Sequence, residues 1–201
     1  ATEEIALVPV GPLSNIAAAI ALDPKFVERV PELVIMGGAH HHGNVTPSAE
    51  FNIWADPDAS ASVFAAGFRR VVCVPLDATH EALVSLDDVR RMQELGTPAG
   101  TAAARFVEQR IKGYDANQPM KERGAAPVHD AVCVAYLVDP SIIVTEFRHV
   151  AVETVGTLTV GRTVVDTNFR GDNPPNCHFA FHADRRKFVD MLLETFARKP
   201  H

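Results

Sequence analysis

No run of Lys or Arg in this sequence is long enough to track a phosphate backbone, and the net charge is −6, so nucleic acid is not the expected partner. No apolar run approaches the ~18 to 20 residues needed to cross a bilayer, so no membrane partner is expected and the chain reads as soluble. Cysteine is scarce. Cys73, Cys133 and Cys177 are odd in number, widely spaced and set in apolar surroundings, which argues against a disulfide framework and for reduced thiols in a cytoplasmic protein. Internal repeats, low-complexity segments and linkers are also missing, which leaves a single α/β domain over residues 1–201 as the expectation. An initiator Met is lacking, and residues 5–10 are strand-like from the outset, so the sequence reads as entered in the middle of a fold, that is, as a fragment.

What is there is apolar and alternating. With 47% hydrophobic residues the chain is long enough for one sizeable core. Strand-like runs at 5–10, 32–36 and 70–75 alternate with helical ones at 13–22 and 57–66, and helices follow at 86–93 and 101–112. Asp23-Pro24 stops the first helix, and Asp139-Pro140 closes a buried one at 131–137. Residues 147–152 and 157–165 read as a hairpin turning near Gly156 or Gly161, and 185–198 as an amphipathic terminal helix. Continuous apolar strands separated by helices predict an open, mostly parallel α/β sheet with helices on both faces. Ligands of such sheets sit beyond the carboxyl ends of the strands, which directs attention to the loops after Val10, Met36 and Pro75.

The most informative stretch runs from Gly43 to Asn52. Read as an extended segment, it turns Glu50 and Asn52 to one face and Phe51 to the other. With Asn44 they present one carboxylate and two amides, which suits the vicinal hydroxyls of a sugar. An Asn-rich surface loop accounts for the same residues. Asp130 precedes a helix, where Asp is a favoured N-cap, and it is equally a candidate metal ligand. His40, His41 and His42 are consecutive, so their side chains diverge, and a solvated loop is expected rather than a metal site.

Gly11-Pro12-Leu13-Ser14-Asn15-Ile16-Ala17, Met36-Gly37-Gly38, the segment from Gly43 to Asn52, Asp56-Pro57 and Val128-His129-Asp130 stand in the order and approximate spacing of the calcium-dependent nucleoside hydrolases, which the chain resembles over nearly its whole length. The resemblance implies a Rossmann-like fold with its amino-terminal part missing, and cleavage of the bond between ribose and a nucleobase. It implies that Asn44, Glu50 and Asn52 grip the ribose, with Met36, Phe51 and Tyr114 as further candidates for binding the substrate. It also implies that Asp130 and the backbone carbonyl of Val10 ligate Ca²⁺, and that His129 protonates or stacks beside the departing base. Many relatives carry Thr where Val10 stands; a carbonyl ligand survives that change. Asp77, after a strand, suits hydrogen bonding behind the site better than direct ligation. His129 favours relatives acting on inosine, uridine or cytidine over strictly purine-specific ones.

The reaction passes through an oxocarbenium-like transition state, for which calcium would hold both the water and the diol. The family's Asp-rich metal motif is absent from the sequence, and Val10 with Asp130 falls short of the about six to eight oxygens that Ca²⁺ takes. The chain alone is therefore expected to be inactive, with a ribonucleoside as the small-molecule partner and a homo-oligomer, dimer or tetramer, as the full-length assembly. The competing reading is a nucleoside- or sugar-binding module without catalysis. A helical phosphohydrolase built on His129-Asp130 is disfavoured, since that class needs further His and Asp ligands on helices and this chain is rich in strands.

Overall fold

The computed structural model describes residues 5–198. In chain order the elements are β1 (Ala6–Leu7), α1 (Ser14–Leu22), β2 (Glu32–Met36), α2 (Phe51–Ala55), α3 (Pro57–Ala65), β3 (Val71–Val74), α4 (Leu76–Thr79), β4 (Leu83–Ser85), α5 (Leu86–Glu94), α6 (Pro98–Asn117), β5 (Ala125–Pro127), α7 (His129–Val138), β6 (Ile143–Arg148), β7 (Val150–Val152), β8 (Thr163–Val165), β9 (Cys177–Ala183) and α8 (Arg185–Ala197). Short 3-10 turns at Pro24–Arg29 and Pro140–Ile142 follow the two Asp-Pro stops. Proline fixes the first turn of each and ends the preceding α-helix. None of the described helices is long and apolar enough to cross a membrane.

The chain divides into two compact units, one of residues 1–78 and 143–182, the other of 79–142 and 183–201. The first is built on a five-stranded sheet of order β1-β2-β3-β9-β6, in which β1 with β2, β2 with β3 and β3 with β9 run parallel. β2 and β3 are apolar almost throughout and buried, as parallel strands covered on both faces must be. Leu33, Ile35, Val71, Cys73, Cys177 and Phe179 from the sheet join Leu13 of the α1 entry, Ile53 of α2 and Val63 and Phe64 of α3 in one core. Helix α1 packs on α3, and Ser14 and Asp56 at their starts are hydrogen-bonded to each other. The fold is α/β, as the alternation of apolar runs predicts.

Several boundaries differ from the sequence reading. The first strand pairs only at Ala6–Leu7, because Pro9 has no N–H to give, although its carbonyl still accepts from Met36 at 3.0 Å. The run at 147–152 breaks at His149 into β6 and β7. Residues 157–160 form a turn rather than a strand, and Val150 and Val152 pair antiparallel with Val165 and Thr163. Gly161 closes that hairpin loop at φ +80, with a 2.7 Å bond from its N–H to the Glu153 carbonyl, and a Cβ there would stand 2.6 Å from Trp54 Cα.

In the second unit, α5 opens with a capping box between Ser85 and Asp88, and α6 begins Thr97-Pro98 with the Thr97 hydroxyl accepting from Gly100 N–H. β4 and β5 form a short antiparallel pair, and α5 and α6 pack side by side. Arg185 at the start of α8 reaches the Leu83 carbonyl at 2.8 Å and the buried Asp88 carboxylate at 2.6 Å.

Candidate functional site

The loop after β2 gathers the first group. Glu50 is extended, not part of a strand, and it caps α2: its Oε1 accepts from Asn52 N–H at 2.9 Å and its Oε2 from Ile53 N–H at 3.3 Å. Oε2 also accepts from Gly38 N–H at 2.9 Å, so one carboxylate, 3% exposed, ties the loop after β2 to the start of a helix. This corrects the extended reading of 50–52, in which alternation along a strand sorted the side chains. The helix start sorts them the same way, with Glu50 and Asn52 buried and Phe51 50% exposed.

The two amides are held with a definite polarity. Asn52 Nδ2 donates to the Met36 carbonyl at 3.1 Å, which leaves its Oδ1 without a hydrogen bond among the described residues. Asn44 Oδ1 accepts from Phe51 N–H at 2.9 Å, which leaves its Nδ2 likewise. Glu50, Asn52 and Met36 are therefore brought together at the carboxyl end of β2, and Asn44 is tied to the same helix start. The site residues fit a polyhydroxylated ligand as one donor and one acceptor. Val10, 42% exposed, stands in the turn after β1.

The three histidines do not diverge as expected: the His40 and His41 rings pack edge-on with centroids 4.7 Å apart, and the His42 ring lies 6.3 Å from that of His41. His40 packs edge-on against Phe181, His41 pairs with Asp77 at 2.6 Å, and His42 is exposed. Asp77, whose side chain is 5% exposed, also accepts from the His40 and His41 N–H groups at 2.8 and 3.1 Å. It thus braces the loop that leads toward Asn44. Thr163, which no local pattern singles out, clamps the same loop by bonding both the N–H and the carbonyl of Ala39.

The second group lies in the second unit. His129 is the first residue of α7 and is 8% exposed. Its Nε2 lies 2.8 Å from the Tyr114 hydroxyl on α6 and its Nδ1 2.7 Å from Thr79 Oγ1. Burial, with Arg110 and His80 adding positive charge, lowers its pKa to about 3, so the ring is neutral at pH 7. Arg110 sits over the Tyr114 ring at 5.2 Å and donates to the Pro127 carbonyl.

Asp130 does not cap α7. The cap position is Val128, without a side-chain bond, and Asp130 lies inside the first turn, where its charge faces the helix dipole. It is solvent-exposed, and its carboxylate accepts no hydrogen bond from the described residues. Crowding by the surrounding protein raises its pKa, against the opposing pull of Arg110. Among the described residues no group of three or more His, Cys, Asp or Glu side chains is gathered to hold a metal ion.

Comparison with known proteins bears on what these groups do. Residues 1–190 match the family described as inosine-uridine preferring nucleoside hydrolase. The enzyme of that name from Crithidia fasciculata is 42% identical over 196 residues, covering 96% of this chain and 60% of its own length. The pyrimidine-specific ribonucleoside hydrolase RihA of Salmonella newport is 39% identical over 192 residues, covering 96% of this chain and 61% of its own length. Among solved structures, a purine-preferring ribonucleoside hydrolase from Gardnerella vaginalis superposes with a TM-score of 0.84 at 32% identity, covering 94% of this chain and 59% of that one. The chain thus spans about 60% of the length of the curated relatives it matches.

Proposed function

The chain belongs to the inosine-uridine preferring nucleoside hydrolase family, and from that premise we propose that it serves the hydrolysis of ribonucleosides to ribose and free base. Water adds its oxygen to C1′ of the sugar, the C1′–N bond breaks, and the base leaves with a proton. The observation that carries the reading is the polarity of the two amides. Asn44 Nδ2 is left to donate to a ribose hydroxyl, and Asn52 Oδ1 is left to accept from one. Glu50, committed to three backbone N–H groups, fixes this arrangement and adds a buried negative charge beside it that favours a cationic ribosyl transition state.

His129 is the group proposed to meet the departing base, with Tyr114 beside it and Phe51 and Met36 as further substrate contacts. Being neutral at pH 7, His129 protonates a base only if its pKa rises when substrate is bound; as it stands it offers hydrogen bonding and an apolar ring face. Calcium is the ion the family resemblance implies, with Asp130 and the Val10 carbonyl as candidate donors. Two donors do not make a calcium shell of about six to eight oxygens, so these residues do not hold the ion by themselves. For the same reason the 201-residue chain alone is proposed not to turn over. The three buried free thiols suit a reducing, cytoplasmic setting, and a homo-oligomer is proposed for the working enzyme.

The test is a chimera that joins to this chain the part of the Crithidia fasciculata relative it does not cover, assayed for ribose release from inosine and uridine with and without calcium. Hydrolysis by the chimera, lost in Asp130→Ala and absent from the chain alone, is expected. A chimera that folds and binds ribose but releases none supports instead a binding module without catalysis. Robust hydrolysis by the 201-residue chain would overturn the ligand argument.

A further inference from the structure

A neutral imidazole has one proton for two nitrogens, and His129 has a partner at each. Both partners are hydroxyls, which donate or accept, so their identity alone leaves the proton unplaced. Their acidity places it. A phenol, with a pKa of about 10, is a stronger donor than an aliphatic hydroxyl, so the Tyr114 O–H donates to Nε2. Nδ1 then carries the hydrogen and donates it across 2.7 Å to Thr79 Oγ1.

Thr79 is built for this contact. It is fully buried, at the last residue of α4, and its β-branched side chain has little freedom about χ1. An acceptor fixed at that distance holds the ring plane as well as the proton. We propose that Thr79 is a positioning residue: its Oγ1 accepts the Nδ1–H of His129 and holds the imidazole in one tautomer and one orientation, with Nε2 turned to Tyr114. The inference rests on reading His129 as the group that meets the base, and it adds which atom of the ring is presented. The role is one of positioning, since Thr79 acts through His129 and touches no substrate itself.

The experiment is long-range ¹H–¹⁵N correlation of the His129 ring in the 201-residue chain labelled at histidine, at neutral pH. The expected wild-type spectrum has Nδ1 protonated and Nε2 pyridine-like. Thr79→Val, equal in shape but without the hydroxyl, is expected to give a mixture of tautomers or the Nε2–H form, and Thr79→Ser to restore the wild-type pattern. Tyr114→Phe is expected to keep the proton on Nδ1, because moving it to Nε2 would leave a buried N–H facing the Phe ring without an acceptor while Thr79 Oγ1 still accepts from Nδ1. An Nε2–H tautomer in the wild type, an unchanged spectrum in Thr79→Val, or a proton that moves in Tyr114→Phe would each overturn the proposal. Should Thr79→Val fail to fold, the wild-type and Tyr114→Phe spectra decide the matter between them. Failure of the chimera to hydrolyse nucleosides would remove the functional reading and leave the tautomer result standing.

Discussion

Replacing His129 by Gln removes a buried base and should flatten the acid end of the stability curve. A histidine whose pKa is lower in the folded than in the unfolded chain stabilises the fold while both forms are neutral. That contribution is complete above 6.5, the unfolded value, and is lost as the pH falls from 6.5 toward about 3. Each unit of pH in that window costs about 1.4 kcal/mol, so wild type should lose about 2 kcal/mol between pH 7.5 and pH 5 from this residue alone. His40 and His178 are lowered in the same direction by burial, and they cancel when the variant is compared with wild type. Urea unfolding followed by far-UV circular dichroism at the two pH values gives the difference. Amide exchange in α7 reports it locally if the two units unfold separately. Equal losses in His129→Gln and wild type would refute the claim that this ring is held neutral by burial.

Glu50→Gln keeps the shape of the side chain but exchanges one carboxylate oxygen for an N–H₂ group, so a backbone donor is left facing a donor. Chemical denaturation should show a loss of about 2 kcal/mol, the scale of a hydrogen bond to a charged group, and a loss below about 0.5 kcal/mol would contradict the clamp. Asn44→Leu or Asn52→Leu should weaken ribose binding about fivefold or more, read by calorimetric titration, and unchanged affinity would remove the sugar-site assignment. Gly161→Ala places a Cβ at a positive φ and against the Trp54 backbone, so it should destabilise by more than about 1 kcal/mol, with Trp54 fluorescence following the transition. A neutral result there would mean that the loop relaxes without cost.

The elements legible in the sequence were those whose signal is local. β2 at Glu32–Met36 is bounded by Pro31 and Gly37, and α1 and α7 end where Asp-Pro pairs forbid continuation. β9 was not read, although Cys177, Phe179 and Phe181 alternate with His178, Ala180 and His182 in a period-two pattern that marks a strand. Its place in the sheet, between β3 and β6, depends on partners far away in sequence, which no local rule supplies. The three-residue strands β4 and β5 are likewise defined by each other rather than by their composition.

The candidate site was legible as residue types and not as a hydrogen-bonding state. Sequence alone makes Glu50 the strongest sugar ligand of its segment, because a carboxylate forms the strongest bonds to hydroxyls. The structure commits that carboxylate to three backbone N–H groups, and the capacity to bind passes to the weaker amides, each with one end anchored and one end free. The same shift applies at His129, whose role depends less on being histidine than on the two hydroxyls that decide where its proton sits. Thr79 stands two residues after Asp77, and a hydroxyl residue following a buried parallel strand is the signal for it that the sequence offers. Which polar atoms are already satisfied is set by contacts that range from two residues apart, as between Glu50 and Asn52, to 50 residues apart, as between His129 and Thr79, and those contacts decide which atoms remain for a substrate.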